Sequence, residues 1–224
     1  MDNKIEIKNL TKIYHEGAEE VKALDNVSIT FNGGEFAAIV GPSGSGKSTL
    51  LNMIGGLDTP TSGTIVVDGI EVGKLSSNSL INFRRDHVGF VFQAYNLIPV
   101  LTAKENVTFV MDLQCIPTQQ SSARAIELLQ NVGLGDRINA RPNKLSGGQQ
   151  QRVAVARALA SKPKFILADE PTANLDGKSA ETLLDIMEKL NKEEQITFIF
   201  STHDPRVMQK ARRFITLEDG KIVD

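Results

Sequence analysis

A chain of 224 residues, 41 % hydrophobic and 23 % charged, is long enough to bury one full core and too short to suggest several independent domains. Its formal net charge of -2 leaves no basic face of the kind nucleic acid needs, and Arg84-Arg85 and Arg212-Arg213 read as short surface pairs, so no nucleic-acid partner is expected. Cys115 is the single cysteine, which rules out an intrachain disulfide and favours a reducing compartment, while neither a signal peptide at the charged Met1–Asn9 start nor an apolar run near the ~18–20 residues that cross a bilayer is found.

The first strand signals are Ile5-Glu6-Ile7, Val27–Phe31 and Phe36–Val40. The third runs straight into Gly41-Pro42-Ser43-Gly44-Ser45-Gly46-Lys47-Ser48-Thr49, which fits the phosphate-loop pattern G-x-x-x-x-G-K-[ST]. Glycines there let backbone N–H groups curl around phosphate oxygens, and the helix that follows turns its positive end to the anion. In that pattern Lys47 reaches the β- and γ-phosphates of a nucleotide and the Ser48 hydroxyl ligates Mg²⁺.

Thr64–Val67 and Val88–Phe92 are the next strand signals, and the second of them delivers Gln93. Between Tyr95 and Ser161 strand signals vanish and helical ones take over, as in Ala123–Asn131 and Gln149–Leu159, punctuated by Pro99, Pro117 and Pro142. The reading is a helical subdomain over about residues 95–161, inserted into an α/β core made of residues 1–94 and 162–224. Its Gln93–Leu101 edge carries Tyr95, Leu97, Ile98 and Val100, an apolar cluster expected to form a docking groove.

Within this stretch Leu145-Ser146-Gly147-Gly148-Gln149-Gln150-Gln151-Arg152 opens a helix. Ser146 and Gln149 make an S-x-x-Q capping box, which is reason enough for a helix start. Two glycines in the first turn cost about 1 kcal/mol each against alanine, and capping does not need them. Close approach of an anion to bare backbone N–H groups does, which marks a second phosphate-binding helix terminus.

Phe165–Ala168 is an apolar strand closing on Asp169-Glu170-Pro171. Neighbouring strand residues face opposite sides, so the two acids divide the work: Asp169 serves Mg²⁺, directly or through water, and Glu170 serves the attacking water as general base. A solvated acidic turn is the plain alternative. Ala180, Leu183, Leu184 and Met187 then repeat at helical spacing over Lys178–Leu190. Ile196–Phe200 delivers Ser201-Thr202-His203-Asp204, and Phe214–Leu217 with Lys221–Val223 flank Asp219-Gly220 as a hairpin. Ligands of open α/β sheets bind outside the carboxyl ends of the strands. On that rim Gln93 can bridge Mg²⁺ and water, and His203 can hydrogen-bond the γ-phosphate, although singly the one reads as surface and the other as a structural group.

Together these stretches resemble the nucleotide-binding subunit of an ATP-binding-cassette (ABC) transporter, over essentially all 224 residues. Gly41–Thr49 matches the family's Walker A, Gln93 its Q-loop, Leu145–Gln149 its signature, Phe165–Glu170 its Walker B, Ala173-Asn174-Leu175-Asp176 its D-loop and His203 its H-loop, all in the family's order. The resemblance implies an ATPase that uses ATP and Mg²⁺ on a P-loop NTPase fold, with a mainly parallel sheet, an N-terminal antiparallel β part and an inserted helical subdomain. It implies a head-to-tail homodimer formed with ATP, in which Ser146, Gly147, Gly148 and Gln149 of one chain close on the γ-phosphate held by the other's Walker A and Asp176 lies at the dimer contact. It places Tyr14 where the family stacks an aromatic on adenine; an ordinary strand-end tyrosine is the structural alternative.

Gly55–Gly63, Phe90–Pro99 and Leu101–Val107 are similar to one branch, the macrolide-exporter, lipoprotein-releasing and antimicrobial-peptide-resistance ATPases, with Ala173 where many members have glycine. The implied partners are a separate integral-membrane permease and a periplasmic or extracellular adaptor protein, with the chain peripheral on the cytoplasmic side. The same ATPase face would serve a cell-division or peptide-sensing module that signals without transport. A soluble cassette acting on ribosomes or DNA would usually carry a second cassette or a long coiled-coil insertion, and neither is present.

Overall fold

The computed structural model describes residues 4–17 and 19–223. In chain order they form β1 (Lys4–Glu16), β2 (Glu19–Asn32), β3 (Phe36–Val40), α1 (Lys47–Ile54), β4 (Ser62–Val67), β5 (Ile70–Glu71), α2 (Ser77–His87) and β6 (Val88–Val91). Then follow α3 (Ala103–Leu113), α4 (Thr118–Asn131), α5 (Gly147–Ala160), β7 (Phe165–Asp169), α6 (Gly177–Glu194), β8 (Thr197–Thr202), α7 (Pro205–Lys210), β9 (Arg213–Glu218) and β10 (Lys221–Ile222).

Two sheets result. β2-β1-β4-β5 is antiparallel, and β10-β9-β3-β8-β7-β6 is parallel except for its β10 edge. β3 and β8 are buried along their whole length, as strands covered on both faces must be, which is why β3 reads in sequence as an unbroken apolar run. Alternate residues of β3 divide the core: Ala37 and Ile39 pack with the antiparallel sheet and α1, whereas Phe36, Ala38 and Val40 pack with the helices. On the helical side Phe36 meets Phe200 at a centroid distance of 4.7 Å and Phe198 at 5.6 Å. Burial of each such ring stabilises the fold by roughly 1.5–3 kcal/mol.

Between β6 and β7 the chain is helical, and the apolar faces of α3, α4 and α5 share one cluster with Val91, Ala168 and Phe198 of the sheet. Capping boxes start two of these helices, Thr102 with Glu105 at α3 and Ser146 with Gln149 at α5.

Several elements differ from the sequence expectation. The N-terminal hairpin is far longer than Ile5–Ile7 and Val27–Phe31, because register shifts near Asn9, Leu10 and Lys12 and the left-handed Asn9 and Asn26 break the alternation that marks a strand. α2 buries only Phe83, so it has no apolar stripe to announce it. β6 stops at Val91, and β8 starts at Thr197 but runs on to Thr202.

Asn106 is the polar pin of the helical part. It is fully buried; its Oδ1 accepts from the Ile98 amide at 2.8 Å, and its Nδ2 donates to the carbonyls of Ile98, Leu101 and Thr102 at 3.2, 3.2 and 3.0 Å. Asn106→Leu keeps the volume but strands one buried amide and weakens three carbonyls. The expected cost is ~2 kcal/mol, seen in a calorimetric or circular-dichroism melt as a fall in Tm of about 4–8 °C.

Candidate active site

Parallel register brings four strand ends to one level. Val91 lies beside Ala168, Asp169 beside Ser201, and Val40 beside Thr202, so the segments after β3, β6, β7 and β8 leave the sheet together. They enclose a cavity of about 790 Å³ lined by Pro42, Ser43, Gly44, Gly46, Lys47, Ser48, Thr49, Gln93, Glu170 and His203, and also by Val21–Ala23, Ala173, Asp219 and Gly220. Gly41 and Ser45 stand behind this lining: Ser45 is buried, and its Oγ has no hydrogen-bond partner.

The loop after β3 is built for an anion. α1 begins at Gly46 in the left-handed region with no side-chain cap, and its first helical bond runs from Leu50 N–H to the Gly46 carbonyl. The amides of Lys47, Ser48 and Thr49 precede that bond and carry the positive end of the helix. Lys47 is 7 % exposed, and its ammonium donates to the carbonyls of Gly41 at 2.9 Å and Pro42 at 2.7 Å. Among the described residues no carboxylate pairs with it. A buried cation compensated only by dipoles favours an incoming anion strongly.

Two acids follow β7 and face different partners. Asp169 Oδ1 accepts from the Ser48 hydroxyl at 2.8 Å. Glu170, at φ 45°, turns its carboxylate to Thr202 Oγ1 at 3.1 Å and His203 Nδ1 at 2.7 Å. A positive φ on a glutamate costs about 1–3 kcal/mol and is characteristic of functional strand ends. The solvated-turn alternative does not describe this pair. Ser48, Asp169 and the Gln93 side chain offer hard oxygen donors, the set Mg²⁺ takes together with phosphate oxygens and water. No cluster of three His, Cys, Asp or Glu residues stands among the described residues, so a cation here would draw most of its ligands from a bound phosphate and solvent.

The other expected residues lie outside this cavity. Tyr14 sits at the end of β1, its hydroxyl donating to Asp58 Oδ2 at 2.6 Å. Asp176 caps α6 through Ser179, and those hydrogen bonds hold its carboxyl below the usual range. Ser146 and Gln149 make the capping box of α5. A Cβ added to Gly147 would come within 2.8 Å of Tyr95 Oη, and one on Gly148 within 3.0 Å of Ser179. Both glycines therefore have a reason inside the chain, the close seating of α5 on the Tyr95 and α6 segments, which the sequence reading had assigned to an anion alone.

Sequence reasoning missed the brace behind the site. Gln151 is fully buried on α5, and its Nε2 donates to the carbonyls of Phe92 at 3.2 Å and Pro171 at 2.8 Å, joining the segments that carry Gln93 and Glu170. Asn174 Nδ2 donates to the Gln93 carbonyl at 3.0 Å, and Arg157 donates to the carbonyls of Tyr95 and Asn96. The available signal was a glutamine four and eight residues before the buried Val155 and Leu159 on one helix face. Along the expected groove Val100 is 71 % exposed, whereas Tyr95, Leu97 and Ile98 are half-buried. A second concavity of about 540 Å³ is lined by Leu57, Ile81, Phe90, Phe92, Val110 and Leu113 with Arg84, Arg85 and Arg157, and of Gln93–Leu101 only Asn96 reaches it. Tyr95 turns to the Asn174 carbonyl, and Leu97 packs on the core.

Comparison with known proteins agrees with this geometry. The family described as ABC transporter matches residues 24–173. The chain is 47 % identical over 219 residues to the macrolide export ATP-binding/permease protein MacB of Hyphomonas neptunium, covering 98 % of this chain and 34 % of that one. It is 46 % identical over 226 residues to the lipoprotein-releasing system ATP-binding protein LolD 1 of Caulobacter vibrioides, covering 99 % and 95 %. The ATP-binding cassette MJ0796 of Methanocaldococcus jannaschii, solved as a dimer in a post-hydrolysis state bound to ADP and Pi, superposes with a TM-score of 0.91 at 46 % identity over 98 % of this chain and 97 % of that one.

The loop after β8 is locked by Asp204, which accepts from Thr172 at 2.6 Å and from Arg206 at 2.7 Å. Burial pushes the Asp204 carboxyl up, but hydrogen bonds from Arg206 and Thr172 outweigh it and hold the group at about 2, against an ordinary 3.8. A lowered folded-state value stabilises above the unfolded value and loses that contribution as pH falls through the folded one. Urea midpoints of the parent should therefore exceed those of Asp204→Asn by a constant margin from pH 7 to about 4. The margin should shrink below pH 4 and close towards pH 2.

Proposed function

The chain belongs to the ABC transporter family and is an ATPase of that family, and from this premise we propose that it powers a separate membrane permease of the exporter branch, moving macrolide- or peptide-like compounds or releasing lipoproteins. The observation that carries the nucleotide site is the buried Lys47 ammonium, held only by the Gly41 and Pro42 carbonyls beside the uncapped start of α1. The exporter assignment is supported by the 46–47 % identity to the MacB and LolD proteins named above. Among the described residues no helix is long and apolar enough to cross a membrane, which fits a peripheral subunit on the cytoplasmic side of the membrane. The apolar groove around Phe90, Phe92 and Leu113 is the surface such a permease would use, with Asn96 at its edge. An ATP-gated signalling module of a cell-division or peptide-sensing complex would present the same site.

In this reading Lys47 leaves its two carbonyls for the β- and γ-phosphates, and the amides of Gly44–Thr49 take the remaining oxygens. Ser48, Asp169 and Gln93 would hold Mg²⁺, whose charge offsets that developing on the phosphoryl oxygens. Tyr14 stacks on adenine. Glu170 accepts a proton from the attacking water through the oxygen that His203 now occupies at 2.7 Å. His203 has a side chain 73 % exposed and is free to swing from Glu170 to the γ-phosphate, which both frees the base and marks the site as loaded. Ser146, Gly147, Gly148 and Gln149 act on the nucleotide of a second copy, across a head-to-tail contact that includes Asp176.

Lys47→Ala removes the only buried cation of the loop, and nucleotide affinity measured by calorimetry should fall by ~10²-fold or more. Glu170→Gln keeps size and hydrogen bonding without the carboxylate's basicity. Hydrolysis should drop by ~10²–10⁴-fold with ATP affinity intact. Two ATP molecules then stay clamped, so this variant should elute as an ATP-dependent dimer in size exclusion, and adding Ser146→Arg should return it to monomer. A Glu170→Gln chain that stays monomeric at saturating ATP contradicts the shared site, and one that hydrolyses at the parent rate contradicts the base.

A further inference from the structure

Tyr14 is fastened at the edge of the nucleotide site. β1 carries Lys12, Ile13 and Tyr14 past the loop that follows α1, and side-chain hydrogen bonds from Lys12 and Tyr14 help to join the two segments there. The Tyr14 hydroxyl donates to Asp58 Oδ2 at 2.6 Å, and Lys12 Nζ donates to Asp58 Oδ1 at 2.7 Å and to the Thr59 carbonyl at 2.8 Å. The same ammonium stands 4.7 Å from the centroid of the Tyr14 ring. One face of the ring is thus backed by a cation and its tip is held by a carboxylate, while the side chain stays exposed to solvent. Val21, the cross-strand neighbour of Tyr14, lines the phosphate cavity.

We propose that Asp58 is a positioning residue for recognition of the nucleotide base: its carboxylate fixes the Tyr14 ring in the plane that adenine meets. This rests on the reading of Tyr14 as the base-stacking residue given above. Tyr14 pairs in register with Val21, which fixes its backbone but not the rotation of a ring that is 37 % exposed. Ordering an aromatic side chain on binding costs affinity, and a ring ordered beforehand avoids that cost. A hydrogen bond from a phenol to a carboxylate is short and strong enough to do the ordering. Burial and the contact with Asp58 raise the Tyr14 hydroxyl. Asp58 is pushed up by burial, but hydrogen bonds from Lys12, Tyr14 and the Thr59 amide outweigh this and leave it below the usual carboxylate range. Across neutral pH the pair is therefore phenol and carboxylate, the combination in which this bond persists.

A turn residue that merely ties Lys12 to the loop would make the same contacts, and the two roles separate in ligand discrimination. ADP carries adenine and pyrophosphate does not, while both use the phosphate loop. Titrated by calorimetry, Asp58→Ala and Tyr14→Phe should each bind ADP ~3–10-fold more weakly than the parent, with pyrophosphate affinity held within about twofold. The double variant should be no weaker for ADP than the weaker single, because both substitutions remove one bond. Tyr14→Phe keeps the ring and carries the test where Asp58→Ala does not fold. Parent ADP affinity in both single variants, equal losses for ADP and pyrophosphate, or additive losses in the double variant overturn the positioning role. Tyr14→Ala that binds ADP as the parent does overturns the base-stacking reading itself, and leaves the phosphate loop standing.

Discussion

The site depends on the register of the parallel ladder. Side chains of a strand alternate between faces, so a slip of one residue between β7 and β8 would exchange the buried row Phe165, Leu167 for Ile166, Ala168 and turn Asp169 away from Ser48. The register is secured by packing on both sides of the sheet. Phe36, Phe198 and Phe200 interlock on the helical face, and Ile39, Leu167 and Ile199 pack beneath the antiparallel sheet on the other. Each face penalises a slip by several buried side chains at once. With the register set, the residues that leave the sheet have no freedom to be elsewhere, and a polar rim forms over an apolar floor.

Charge then organises that rim. Lys47 supplies a buried positive charge without a counter-ion, Asp169 and Glu170 supply two negative ones, and the protein keeps them from cancelling each other. Lys47 rests on carbonyls, Asp169 on a hydroxyl, and Glu170 on Thr202 and His203. Had Lys47 paired with Asp169, the loop would be neutral and an incoming phosphate would have to break an ion pair, at a cost of several kcal/mol. Separation of the charges is maintained by geometry, through the positive φ of Glu170 and the bond from its amide to the Ser201 carbonyl at 2.8 Å. The strain at Glu170 is offset by the ladder that holds both ends of the turn.

Much of this could be read in the residues, and the limits are physical. Phe36–Val40 and Phe165–Ala168 were legible because strands buried on both faces must be continuously apolar, and the Lys47 loop because cradling phosphate leaves few choices of residue. The Asp219-Gly220 hairpin was legible because both residues take positive φ, 46° and 76°, as a two-residue hairpin turn requires. What stayed hidden was set by contacts distant in sequence. Gln151 reads as one glutamine of three until its amide is found between Phe92 and Pro171. Along the expected groove of Tyr95, Leu97, Ile98 and Val100, Leu97 packs inward and Ile98 is pinned by Asn106 while Val100 is 71 % exposed, and further exposed apolar surface comes from Leu57, Ile81 and Leu113 on three other segments. Periodicity reports which residues prefer burial, and the chain's other elements decide where room for them exists.

The stretch Gly55–Gly63, read in sequence only as a mark of one branch, acquires a physical account. An added Cβ at Gly55 would lie 2.2 Å from Phe90 Cζ, so bare backbone at the end of α1 is what lets the β6 ring pack there and line the groove. Arg84 donates to the Gly56 carbonyl at 2.7 Å and ties α2 to the same point. Asp58 holds Lys12 and Tyr14, and Thr61 closes the other side, its Oγ1 accepting from the Ile13 amide at 3.0 Å and its own amide donating to the Thr11 carbonyl at 2.9 Å. Leu57, between Gly56 and Asp58, faces the groove. α1 thus begins at the glycine-rich loop and ends in a loop that touches Tyr14 with one residue and the apolar groove with its neighbour. Gly55, Gly56, Asp58 and Thr61 of this segment each make a different contact, to Phe90, Arg84, Tyr14 with Lys12, and Ile13 with Thr11.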